Sequence, residues 1–225
     1  MGVPILILGK SGSGKSTSLR DFPECGIINV LGKPLPFMGA ATRKIITTDD
    51  YDMVKAVLVK SKAKSIAIDD AGFLMTNQFM RGHAQQGAGS AIFGFYNTIG
   101  DSFWNLIEYV IHTLPPDVIV YFMMHEDKND MGEVKPKSVG KMLDEKVCIE
   151  SMFTIALRCV LSSGKHVFKT QTDGTDVTKS PDGMFEMDEI PNDLAYVDKT
   201  VRAYYGFVAE PEKKPEAKQE EAAKP

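Results

Sequence analysis

The sequence predicts an α/β fold in which helices flank a mainly parallel central sheet. Short apolar runs suited to buried strands alternate with segments of helical periodicity, an order typical of parallel sheets that are covered on both faces. The chain has 225 residues, of which 43% are hydrophobic and 25% charged, the composition of an ordinary globular protein. We therefore expect one folded domain over residues 1–208. The tail at 209–225 consists of Glu, Lys, Ala, Pro and Gln and is expected to be disordered.

The first half of the chain contains four predicted strands and three predicted helices. An apolar run predicts a strand at 3–8, and a helix at 15–22 is expected to end at Pro23. Further strands are predicted at 26–30, 44–47 and 65–69. Between the last two, Asp49 or Asp50 is expected to cap a helix with one apolar face, and another helix is predicted at 71–81.

The second half of the chain contains the clearest helix, at 96–113, where apolar residues recur at helical spacing until two prolines end it. An apolar strand is predicted at 118–124, and a final pair of strands at 153–161 and 166–172. Two glycine-bearing stretches without a clear period, 82–95 and 125–145, are expected to be long loops, the first of them mobile.

The most informative motif directly follows the first apolar run. Residues 9–16 read Gly-Lys-Ser-Gly-Ser-Gly-Lys-Ser, the Walker A pattern, and are called the P-loop below. Its glycines permit backbone angles that a side chain would forbid, so its N–H groups can surround phosphate oxygens. The residues expected to bind ATP are Gly9, Lys10, Ser11, Gly12, Ser13, Gly14, Lys15, Ser16 and Thr17. Among them, Lys15 is expected to reach the β- and γ-phosphates and Ser16 to contact Mg²⁺.

Three side chains at the ends of predicted strands extend this site. Asp69 ends an apolar strand, as the Walker B aspartate does, and is expected to orient Mg²⁺ together with Ser16. Asp70 either polarises the attacking water or caps the next helix. His125 is either a sensor of the γ-phosphate or an ordinary hydrogen-bonded histidine.

Charge and cysteine content restrict where the protein acts. The formal net charge of −4 provides no overall basic field, so contact with nucleic acid requires a local patch or an assembly of subunits. Scattered cysteines at positions 25, 148 and 159 suggest reduced thiols in a cytoplasmic protein. No signal peptide or membrane-spanning run is evident, so no membrane partner is expected.

With these residues in place, the chain resembles the RecA-like P-loop ATPases, especially small phage ATP-binding proteins proposed to act as single-strand annealing recombinases. The resemblance covers residues 3–185 and rests on the order of Walker A, Walker B, a loop, a helix, a strand ending in a sensor and a second loop. It implies ATP hydrolysis with Mg²⁺, a homo-oligomeric filament or ring, single-stranded DNA as ligand, and a single-strand-binding protein or helicase as possible partner. It also implies a basic residue that reaches the neighbouring subunit's phosphates, and Lys179 looks like that residue, although a solvated turn lysine is the alternative.

The chain departs from the RecA-like pattern at one position. Such proteins carry a catalytic glutamate just after the second core strand, whereas residues 27–33 contain no carboxylate. Hydrolysis is then slow, or Asp70 substitutes for the glutamate. Asn29 could position water, and Lys33 could contact phosphate.

The two predicted loops are expected to face DNA under this resemblance. In the first, Phe93 and Phe95 can stack on bases, and in the second, Lys135, Lys137 and Lys141 can contact the phosphate backbone. The alternative is that the second loop is a lid or a subunit contact and that the aromatic residues anchor the core.

Two other functions remain open at this point. A small-molecule or nucleotide kinase would usually bring several arginines on a lid, and the second loop has none among the arginines of the chain, which are Arg20, Arg43, Arg81, Arg158 and Arg202. A nucleotide-switched interaction module with weak hydrolysis would fit the missing glutamate.

Overall fold

The computed structural model describes residues 1–86, 90–140 and 147–207, with the backbone alone at residues 90 and 91. The strands are β1 (Val3–Gly9), β2 (Gly26–Asn29), β3 (Ile45–Thr47), β4 (Ser65–Asp69), β5 (Ile119–Lys128), β6 (Val134–Pro136), β7 (Ile155–Ser162), β8 (Lys165–Lys169) and β9 (Glu189–Pro191). The α-helices are α1 (Tyr51–Lys60), α2 (Phe73–Gly82), α3 (Ser90–Thr113) and α4 (Leu194–Tyr205). Short 3₁₀ helices cover Ser16–Leu19, Ala40–Thr42, His83–Gln85 and Ile149–Met152.

The sheet follows the order β3-β2-β4-β5-β1-β7-β8-β9, with β6 paired to β5. The strands from β3 to β7 along this order run parallel, whereas β8, β9 and β6 pair antiparallel with their neighbours. The prediction of an α/β fold with a mainly parallel sheet flanked by helices is therefore confirmed.

Both faces of the sheet are buried, because alternate residues of each strand point to opposite sides. On β1, Leu6 and Leu8 join a core cluster with α1, α2 and α3, while Ile5 and Ile7 join a second cluster with α4. All four of these side chains are at most 1% exposed. This two-sided burial explains why the central strands read as continuous apolar runs.

Helix α4 is attached at the amino ends of β4 and β5 by a buried polar cluster, and the sequence analysis did not predict this helix. Asp198 on α4 accepts hydrogen bonds from Ser65 Oγ at 2.6 Å, Tyr121 Oη at 2.9 Å and Arg202 Nε at 2.6 Å. Arg202 also donates to the carbonyl oxygen of Asp117. The buried carboxylate is thus fully partnered, and the cluster fixes the helix against the second face.

Three local predictions were wrong. The helix expected at 15–22 is only a 3₁₀ helix, Ser16–Leu19, so a helix dipole adds little at the P-loop. Of the loop expected at 82–95, the described residues are largely helical, because a 3₁₀ helix covers His83–Gln85 and α3 already begins at Ser90. The loop expected at 125–145 continues β5 to Lys128 and returns through β6, so its first part is a β-hairpin.

No helix within the described ranges is both long and apolar enough to cross a membrane. The tail expected at 209–225 lies outside the described residues.

Candidate functional site

The candidate site lies where the carboxyl ends of four neighbouring strands meet. Gly9 at the end of β1 is level with His125 on β5, and Asn29 at the end of β2 is level with Asp69 on β4. Because β5 lies between β1 and β4, the P-loop, His125 and Asp69 come together in this order along one edge. In open parallel sheets, this edge is where ligands bind.

The P-loop adopts a conformation that requires its glycines. Gly12 and Gly14 have φ angles of 77° and 101°, in the region that side chains rarely adopt. At Gly9 the constraint is space, because an added Cβ would lie 2.5 Å from Ser13 Oγ and 2.7 Å from the carbonyl oxygen of Cys159. Glycine is therefore required by backbone angle at positions 12 and 14 and by space at position 9.

The side chain of Lys15 folds back over the P-loop. Its ammonium group donates to the carbonyl oxygens of Gly9 at 2.7 Å and Lys10 at 2.9 Å, and the residue is 6% exposed. Burial lowers the pKa of Lys15, while the carboxylates of Asp70 and Asp69 act in the opposite direction. An anion entering the loop would relieve part of this desolvation cost.

Ser16 and Asp69 meet directly, although 53 positions separate them. Ser16 Oγ donates to Asp69 Oδ1 at 2.7 Å, and Asp69 is 5% exposed. Burial raises the pKa of Asp69, and the hydrogen bond from Ser16 opposes that rise. A hydroxyl and a carboxylate at this distance are hard oxygen donors of the kind that Mg²⁺ prefers together with phosphate oxygens, so the pair fits the expected ion.

Asp70 is held by two cationic or titratable partners. Lys33 Nζ lies 2.8 Å from Asp70 Oδ2, and His125 Nε2 lies 3.3 Å from Asp70 Oδ1. Burial alone would raise the pKa of Asp70, but the hydrogen bonds from His125 and Lys33 lower it to about 2. Asp70 does not cap α2, which was the alternative role. Gly72 occupies the N-cap position, and no side chain there accepts a hydrogen bond from the helix.

Asn29 organises the turn that follows β2. Its Oδ1 accepts a hydrogen bond from the N–H of Gly32 at 2.9 Å, and its Nδ2 donates to the carbonyl oxygen of Lys33 at 2.6 Å. Both ends of the amide therefore bind backbone and hold the turn, and the expectation that Asn29 positions water stays a prediction.

Three residues that were not predicted at the site support the P-loop around Ser13. The carbonyl oxygen of Ser13 accepts from Cys159 Sγ at 2.9 Å and contacts His166 Nδ1 at 2.6 Å. Asn192 Nδ2 donates to Cys159 Sγ at 2.8 Å. Burial raises the pKa of the Cys159 thiol to about 11, so it remains a neutral donor. These residues carry no motif, because β7, β8 and the segment after β9 reach the P-loop only through the fold.

The β5–β6 hairpin brings two of the predicted DNA-contacting lysines to the same edge. Lys135 lies on β6, and the exposed Lys137 donates its backbone N–H to the carbonyl oxygen of His125 at 2.8 Å. Arg158 fastens the base of the hairpin through bonds of 2.9 and 3.0 Å to Glu126. Lys141, predicted with them, lies outside the described residues.

The two predicted stacking aromatics differ in their surroundings. Phe93 on α3 is 55% exposed. Phe95 instead packs against Gly82, where an added Cβ would lie 2.3 Å from its ring, and stacks with Phe79 at 6.4 Å between centroids. Phe95 therefore anchors α3 to α2, as in the alternative of core-anchoring aromatics, whereas Phe93 is open to a ligand.

Lys179 lies beside β7 rather than at the P-loop of its own chain. Its backbone exchanges hydrogen bonds with Ala156, which is paired with Leu6 in the middle of β1. Within the described ranges, no hydrogen bond or ion pair joins its ammonium group to the P-loop of the same chain.

In comparisons with known proteins, no family model matches the chain and no curated protein matches it.

Proposed function

We propose that the protein is a RecA-like P-loop ATPase that binds ATP with Mg²⁺ and couples the nucleotide state to single-stranded DNA. The observation that carries the nucleotide part is the 2.7 Å hydrogen bond between Ser16 and Asp69. Two residues that a Walker A and a Walker B motif would supply to one ion meet in space, although they lie far apart in sequence. A glycine-rich turn without this function would not require that meeting.

The strand order supports the RecA-like form of the proposal. One strand, β5, separates the P-loop strand from the strand that ends in Asp69, and it carries His125 at the edge of the site. The resemblance likewise has a core strand that carries a sensor residue, although β5 continues beyond His125 to Lys128 rather than ending there. Lys15 and the P-loop N–H groups would bind phosphate, and Ser16 and Asp69 would hold Mg²⁺, which neutralises phosphate charge when bound.

Asp70 is the carboxylate available to orient water in place of the missing glutamate. A pKa of about 2 makes it a weak proton acceptor near neutral pH, so it acts by orientation and charge rather than by storing a proton. Slow hydrolysis follows from this assignment.

The DNA part of the proposal rests on the position of the two segments expected to contact it. Helix α2 starts three residues after Asp70, and the hairpin that carries Lys137 is bonded to the backbone of His125. Tyr96 on α3 lies against Gly140, where an added Cβ would be 3.0 Å from its ring, so the two segments touch each other. Nucleotide binding can therefore change both segments together. A homo-oligomer in which Lys179 serves a neighbouring subunit, and a single-strand-binding protein or helicase as partner, complete the proposal.

The positions of the arginines argue against the kinase alternative, because their side chains bind partners away from the P-loop. Their partners are Asp21 for Arg20, backbone carbonyls for Arg43, Asp49 for Arg81, Glu126 and Asp176 for Arg158, and Asp198 for Arg202. None of these described contacts leaves an arginine poised over the P-loop to clamp a transferred phosphoryl group.

The test measures ATP binding by calorimetry and single-strand binding by fluorescence anisotropy, with and without a non-hydrolysable ATP analogue. Wild type should bind the analogue, Lys15→Ala should not, and DNA affinity should rise with the analogue only in wild type. Unchanged analogue binding by Lys15→Ala would refute the nucleotide site. Nucleotide binding without any DNA binding would leave the ATPase part standing and remove the DNA part.

A further inference from the structure

The turn after β2 carries Lys33, in the stretch where the RecA-like pattern has a glutamate. Asn29 is 5% exposed, and its side-chain amide bonds the backbone at Gly32 and Lys33. Gly32 has a φ of 65°, and an added Cβ would lie 3.0 Å from Thr47 Cγ2, so the turn has both a left-handed residue and little spare room. The buried asparagine therefore fixes the backbone of the turn from which the Lys33 side chain extends.

The Lys33 side chain extends toward the site. Lys33 Nζ is 2.8 Å from Asp70, and Lys33, like Lys15, counteracts the rise in the pKa of Asp69 that burial causes. Asp69, which is hydrogen-bonded to Ser16, therefore lies in the field of two ammonium groups that approach from different strands. Lys33 is part of the charge balance of the ion and phosphate site.

The bond between Lys33 and Asp70 is one that a stronger anion can replace. The Lys33 side chain is 60% exposed, and ion pairs with so much solvent access are held weakly. A terminal phosphate carries more charge than a carboxylate and offers several acceptor oxygens, so it attracts an ammonium group more strongly.

We propose that Lys33 is a phosphate-binding lysine supplied in cis, which exchanges Asp70 for the terminal phosphate of a bound nucleoside triphosphate. This inference rests on the proposed function and deepens it. With Lys15 on one side and Lys33 on the other, the chain carries two cations for the triphosphate without any contribution from a neighbouring subunit. The exchange also frees Asp70 from one of its two partners when a triphosphate is bound, which leaves that carboxylate able to accept a hydrogen bond from water.

The test compares Lys33→Met with Lys44→Met, which removes the same charge at an exposed position at the opposite, amino end of the sheet. Calorimetry in the presence of Mg²⁺ measures the affinity for ADP and for a non-hydrolysable ATP analogue. Lys33→Met should weaken analogue binding about tenfold, the value of one charge-assisted hydrogen bond, and leave ADP binding unchanged. Lys44→Met should change neither affinity, and Lys33→Arg should recover part of the loss.

A double-mutant cycle separates direct phosphate contact from an indirect effect through Asp70. If Lys33 binds phosphate, adding Lys33→Met to the Asp70→Asn variant still weakens analogue binding about tenfold. If Lys33 only positions Asp70, the substitution costs nothing in that background, and the inference is overturned. Equal loss of ADP and analogue affinity would also overturn it. Failure of wild type to bind either nucleotide would instead reject the proposed function itself.

Discussion

Replacing Asp70 with Asn tests the electrostatics of the site through the pH dependence of folding stability. Asp70 has a φ of 60°, a left-handed conformation that Asn tolerates better than other side chains with a Cβ. Asp70→Asn therefore removes the charge at nearly constant shape and backbone strain. Asp70→Ala would add strain, because alanine does not favour this conformation.

The expected magnitude follows from the pKa of Asp70. Its value in the folded protein is about 2, against an ordinary value of 3.8. Because the pKa of Asp70 is lower in the folded than in the unfolded protein, its ionised form stabilises the folded state at pH values above the unfolded pKa. This stabilisation is lost as the pH falls through the folded pKa. This difference in pKa adds about 2 kcal/mol to the free energy of unfolding near neutral pH and about half of that at pH 3.

The assay is urea denaturation of both proteins at pH 7, 5, 4 and 3, followed by circular dichroism. The free energy of unfolding of wild type should exceed that of Asp70→Asn by about 2 kcal/mol at pH 7 and 5, and the gap should narrow between pH 4 and 3. A gap of the same size at pH 7 and pH 3 would refute the claim that Lys33 and His125 hold the charged form of Asp70.

The remaining predictions concern the stability of the fold and the binding of nucleotide at the P-loop. Asp198→Ala should lower the free energy of unfolding by about 3–5 kcal/mol, because it leaves buried polar partners unpaired, whereas exposed Asp101→Ala should stay within about 0.5 kcal/mol of wild type in the same urea titration. Gly9→Ala should weaken ATP-analogue binding at least about tenfold by calorimetry, because its Cβ would lie 2.5 Å from Ser13 Oγ, and normal affinity would contradict that packing. Its control, Gly94→Ala, enters open space on α3 and should bind normally.

Some parts of the fold were predictable because their signals are local. The strand at 65–69 was predicted with the bounds that the structure has, since a short apolar run between polar segments suits a strand buried on both faces. Unusual backbone angles were expected at Gly9, Gly12 and Gly14. Gly12 and Gly14 have positive φ, whereas Gly9 does not and is required for space instead. The start of α3 was not predictable in this way. In the structure the ring of Phe95, five residues after this start, packs over Gly82, a contact between two helices that no local pattern shows.

Helix α4 had signals that could have been used. Asp193 caps its amino end by accepting from the N–H groups of Ala195 and Tyr196, and Gly206 ends it with a φ of 70°. Its buried residues recur at helical spacing, as Leu194, Val197 and Val201. Its docking through Asp198 was beyond the sequence, because its partners Ser65 and Tyr121 lie on strands 133 and 77 positions away.

By itself, the sequence determined the residues of the P-loop, the apolar strands and the candidate carboxylates, because each depends on neighbours within a few positions. Tertiary structure alone decided that β5 lies between β1 and β4, that Ser16 reaches Asp69, and that Lys33 and His125 converge on Asp70. Strand order depends on burying both faces of the whole sheet at once, a requirement that no local pattern encodes.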